Sequence, residues 1–68
     1  MSAVYVEEQD GLIRAEITVP ALHSVFAVDV AKRQVKADGY RVVGFRSVKQ
    51  MGRTEAWLVT LGVRRRMP

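Results

Sequence analysis

With 68 residues and no cysteine, the chain has room for one hydrophobic core and can neither staple it with disulfides nor build a thiolate metal site. Its formal charge of +4 is modest, and no stretch approaches the roughly 20 consecutive apolar residues of a membrane-spanning helix. At this length folding hides only about 60% of the surface an extended chain exposes, so association is the ordinary remaining source of stability.

Asp10-Gly11 is the clearest local signal. Both residues tolerate the positive φ of a tight hairpin turn, and strand-like sequence lies on either side. Upstream, Ala3 to Glu8 puts Val4 and Val6 on one face. Downstream, Leu12 to Val19 alternates, with Ile13, Ala15, Ile17 and Val19 opposed to Arg14, Glu16 and Thr18, the pattern of a half-buried strand.

Pro20 ends that strand because it has no amide hydrogen to donate. A helix follows, starting either near Pro20 or with Ser24 as N-cap. Ala27, Val28, Ala31 and Val35 share one face, and Asp29, Lys32, Arg33 and Lys36 share another. Leu22, Val25, Phe26 and Val30 widen the apolar surface beyond one stripe, so the first turn is either buried on several sides or turned toward a partner. Asp38-Gly39 supplies the stop, glycine being suited to the left-handed position after a last helical turn.

Tyr40 to Val48 reads as a third strand, with Val43 and Phe45 the expected inward pair and Gly44 a candidate bulge. After a turn at Gln50 to Arg53, Glu55 to Val63 forms the fourth strand. Trp57, Val59, Leu61 and Val63 are expected to face the core, with Trp57 as its largest member.

The order β-β-α-β-β predicts an α+β domain, a four-stranded, mainly antiparallel sheet with one helix packed on one face. Residues 1–63 form that single domain and 64–68 a basic C-terminal tail. A strand order of 2-1-3-4 is preferred, since it makes all neighbours antiparallel. The sheet face away from the helix then carries Arg14, Glu16, Thr18, Ala56, Leu58 and Thr60.

Catalytic and cofactor chemistry has little to stand on. His23 is the only histidine, and its neighbour Ser24 does not become a nucleophile by adjacency. Glu7 and Glu8 are consecutive on a strand and point to opposite faces, which argues against a paired-carboxylate site. No phosphate-binding glycine run is present. The expectation is a non-enzymatic chain without cofactor or metal. A start lacking a basic, apolar leader and the absence of cysteine are compatible with the cytoplasm.

Two functional expectations remain. The first is a protein-interaction or structural module, homo-oligomeric, using Leu22, Val25, Phe26 and Leu58 as its contact surface. The second is non-specific phosphate contact with DNA or RNA. Residues 1–20 carry Glu7, Glu8, Asp10 and Glu16 against Arg14, whereas 21–68 carry a net +7. Lys32, Arg33 and Lys36 on the helix and Arg64, Arg65 and Arg66 in the tail are the candidate phosphate contacts. The bland counterpart of this charge is a solvated surface.

Overall fold

Asp10 (φ 52°) and Gly11 (φ 77°) both adopt left-handed backbone, the conformation whose twist matches that of the strands a two-residue turn joins. They connect β1 (Ser2–Gln9) to β2 (Leu12–Pro20), followed by α1 (Ser24–Ala37), β3 (Tyr40–Gln50) and β4 (Ala56–Arg65). The structure, a computed structural model, describes residues 1–66. Met67 and Pro68, the end of the expected tail, lie outside the described residues.

All strand neighbours are antiparallel, and the order is β1-β2-β4-β3. The expected order 2-1-3-4 is therefore corrected. β2 and β4 carry the most regular apolar alternation, and the two middle positions are where a strand is paired on both sides. The helical connection from β2 reaches β3 beyond a gap, and β4 returns into that gap as a hairpin.

The core is made by three elements. Ile13, Ala15, Ile17 and Val19 of β2, Val59, Leu61 and Val63 of β4, and Ala27, Ala31 and Val35 of α1 are buried. Two alanines one turn apart on the inward stripe let the helix backbone settle close to the sheet. The N-cap lies one residue before the expected Ser24: His23 is the extended N-cap residue, and its carbonyl accepts from the Ala27 amide at 3.1 Å. It ends at Asp38, whose amide reaches the Gln34 carbonyl at 2.9 Å, and Gly39 follows at φ 91°.

Trp57 is half-buried, so it is a rim residue and not the centre of the core. It stands opposite Val19, at the end of the sheet where the chain leaves for the helix, and its indole N–H donates to the Ala21 carbonyl at 2.9 Å. A buried indole needs such a partner, and the sheet end provides one.

The third strand also departs from the expected facing. Register shifts fall between Val42 and Gly44 and between Phe45 and Ser47. Each inserts one residue, which reverses the alternation. Val42 and Val48 therefore face the core opposite Val63 and Val59, while Val43 is 46% exposed. Phe45 stands opposite Leu61 on the helix side as expected, yet remains 53% exposed beside the helix.

Ile17, fully buried on a central strand, should lose about 2 to 5 kcal/mol of stability when replaced by alanine, from lost transfer energy and the cavity left behind. Trp57→Phe, which removes the indole N–H and part of the ring at a half-buried site, should cost only about 1 to 2 kcal/mol. Chemical denaturation measures both, and a larger loss for Trp57→Phe than for Ile17→Ala would contradict this division between core and rim.

Candidate functional site

The apolar residues singled out from the sequence separate into two places. Leu22, Val25 and Phe26 sit at the start of α1 and are 70%, 75% and 59% exposed. Val25 joins Val28, Phe45, Val48, Asp29 and Lys32 around a groove of about 460 Å³ between the helix and β3. Leu58 is half-buried on the opposite sheet face, where it lines a second hollow with Thr18, Met51 and Ala56. Phe45 completes the first surface: it faces the helix side as expected, but the helix leaves it more than half exposed.

The candidate phosphate contacts are largely engaged within the chain. Arg33 pairs with Asp29 at 2.9 Å, one helical turn away. Arg64 donates to the Asp10 carbonyl at 2.7 Å, and Arg65 lies 3.8 Å from the Glu7 carboxylate. Arg66 donates to the Lys36 carbonyl at 2.8 Å, while its own amide bonds the Gly39 carbonyl at 3.0 Å. A cation at the last helical carbonyls is electrostatically favourable there. β4 thus continues through Arg64 and Arg65, two residues past the expected end at Val63. Lys32 and Lys36 take part in no ion pair among the described residues.

The sheet face away from the helix holds a charged cluster. Arg46 bonds Glu8 at 2.5 Å, and Arg14 lies 3.5 Å from Glu8 and 3.9 Å from Glu16. Glu8 and Arg46 come from opposite edges of the sheet. The Arg46 side chain passes over Gly62 on its way, at ordinary contact distance from where a Cβ would stand. The hydrogen bond from Arg46 is the main reason the Glu8 carboxyl is held below the usual glutamate range; the same bond raises the Arg46 guanidinium.

On the helix side, Tyr5 of β1 stacks on Tyr40 of β3 with ring centroids 4.2 Å apart, and its hydroxyl donates to Asp38. Asp38 also accepts from the Gln34 side chain at 2.9 Å. Burial, followed by the bond to Asp38 and its negative charge, pushes the Tyr5 phenol well above its ordinary value. No sequence signal joins two residues from opposite sheet edges.

His23 is exposed and lies 5.9 Å from Phe26, ring to ring, so it extends the apolar surface. Among the described residues no three His, Cys, Asp or Glu side chains cluster as a metal site, and no helix is long and apolar enough to cross a membrane. The chain is a small α+β domain, an antiparallel sheet of four strands covered on one face by one helix. Comparisons with protein-family models, curated proteins and solved structures return no match.

Two titrations test this electrostatic picture. The Glu8 carboxyl should titrate below an ordinary glutamate by NMR and return toward that range in Arg46→Ala. Its depressed value means the pair contributes stability above the ordinary glutamate range that is lost as pH falls through the lowered value. Tyr5 carries the opposite sign: its stabilisation is present below the ordinary phenol value and lost as pH rises above it. Ultraviolet titration should therefore find a tyrosine that resists ionisation in the folded protein, and Asp38→Asn should make it ionise earlier.

Proposed function

We propose that this chain is a self-associating, non-enzymatic protein-interaction module. One observation carries the reading: the helix leaves much of the apolar surface uncovered. Leu22, Val25, Phe26 and Phe45 are each more than half exposed, and Val4 and Val43 are 53% and 46% exposed at the two sheet edges. In so short a chain these side chains cost core-forming capacity unless a second surface covers them. Association with another copy supplies the missing burial without a second gene product or a bound cofactor. A cytoplasmic setting belongs to the same proposal and rests on the cysteine-free composition.

Phosphate contact with DNA or RNA is the second reading. It is supported by the basic balance after residue 20 and by a small cleft where Arg41, Arg64 and Arg65 surround Gly11. Against it stand the partners already held by Arg33, Arg64, Arg65 and Arg66. Those arginines would have to exchange internal bonds for phosphate, which reduces the net gain.

Sedimentation from low to high micromolar concentration tests the first reading, with a concentration-dependent rise from monomer to dimer as the expected result. A monomer across the whole range would remove it. Titration of labelled duplex and single strands at several salt concentrations tests the second, where phosphate binding must weaken steeply as salt rises.

A further inference from the structure

The two edges of the sheet differ in a way that bears on how copies meet. An edge strand presents unpaired amide and carbonyl groups, and proteins that must stay apart blunt such edges with bulges, charges or proline. β3 has these devices: two register shifts interrupt it, and Arg41, Arg46 and Lys49 lie along it. β1 lacks them over most of its length. From Ser2 to Glu7 it pairs with β2 in unbroken register, and Ser2-Ala3-Val4-Tyr5-Val6 contains no proline and no charge. Among the described residues its outer edge has no strand neighbour, and its one bond to the end of the helix, from Tyr5 to Asp38, leaves that edge open.

We propose that the self-association runs through β1, which pairs antiparallel with β1 of a second copy and joins two four-stranded sheets into one of eight strands. This rests on the reading of the chain as self-associating and names the surface responsible: of the exposed apolar side chains it covers Val4 and Val6, and not the group formed by Leu22, Val25, Phe26 and Phe45. A second copy fits this edge because the strand is complementary to itself when reversed. Its charge lies at one end, in Glu7 and Glu8, and its other end is uncharged. Antiparallel pairing sets the acidic end of each copy against the uncharged end of the other, whereas parallel pairing would stack four carboxylates.

The pleat narrows the register. Residues directly opposite must point to the same face, so a two-fold axis passes through a residue pair. An axis at Tyr5 puts Val4 of each copy opposite Val6 of the other, with Glu7 opposite Ala3. Val4 and Val6, 53% and 37% exposed on the face away from the helix, then form two apolar cross-strand pairs. An axis at Val4 would leave Val6 opposite Ser2 and bury less apolar surface. The Tyr5-centred register is therefore the assigned one.

A charge exchange tests it. Val4→Glu with Val6→Glu places like charges opposite each other twice per dimer and should raise the dimer dissociation constant by about tenfold or more. Val4→Lys with Val6→Glu restores opposite charges in the assigned register and should retain the dimer. Sedimentation reads both, with circular dichroism to verify folding. A folded Val4→Glu, Val6→Glu protein that dimerises like the parent overturns the proposal; so does a monomeric Val4→Lys, Val6→Glu protein. Should the first variant not fold, hydrogen exchange on the unaltered protein decides. Concentration-dependent protection at Ser2 to Glu7 supports the edge, and protection confined to Leu22 to Phe26 overturns it. If Val25→Ser with Phe26→Ser abolishes the dimer and the β1 variants do not, self-association survives and the edge does not. A parent protein that is monomeric throughout defeats the underlying reading itself, and the edge pairing with it.

Discussion

One helix has to cover one sheet, and it is too narrow to do so. A helix about 10 Å across spans about two strand spacings of roughly 4.8 Å, while this sheet has four strands. Ala27, Ala31 and Val35 bring α1 down on the sheet from β2 across to β3, where Ile17, Val59 and Leu61 disappear from solvent. Everything outside that footprint must be covered by other means. Trp57 closes one end by binding the Ala21 carbonyl, and the stacked Tyr5 and Tyr40 close the other around Asp38. Large side chains at the margins thus complete a core built centrally from small ones.

The same shortage accounts for the handling of charge. The described ion pairs lie on the surface, where an isolated pair contributes little. Their geometric effect is larger. Arg46 reaches across the glycine at position 62 to Glu8 and so ties the two sheet edges on the uncovered face. Arg64 and Arg66 satisfy carbonyls of the first hairpin and of the last helical turn. Long basic side chains act here as cross-braces, with their heads on fixed acceptors.

Local chemistry made much of the fold legible. Asp10-Gly11 could form only a few turns, the alternation from Leu12 to Val19 has one sensible facing, and Asp38-Gly39 marks a helix end at its actual place. Strand order was not legible because it depends on which strands gain most from a central position, a comparison across the whole chain. The facing of Val43 was lost for a different reason: a bulge moves every later residue by one step while leaving composition untouched. For the candidate surface, the excess of Leu22, Val25 and Phe26 over one helical stripe was legible but left burial and exposure open, and Phe45 was expected inward without a sign that the helix would leave it exposed. The engagement of Arg64 and Arg66 by main-chain carbonyls had no sequence signature at all, since every residue carries the same acceptor.

The unevenness of β3 has a consequence for assembly size. A sheet that could accept neighbours at both margins would be an open-ended template, and each added copy would expose a fresh margin for the next. Two kinks in β3 and the cationic side chains along it make that margin a poor template. Growth by strand addition would then be one-sided, and the proposed two-fold pairing would use the receptive margin of both participants. Such a polymerisation would terminate at its first step, so the geometry that spoils one strand's regularity would also separate a finite complex from a fibre.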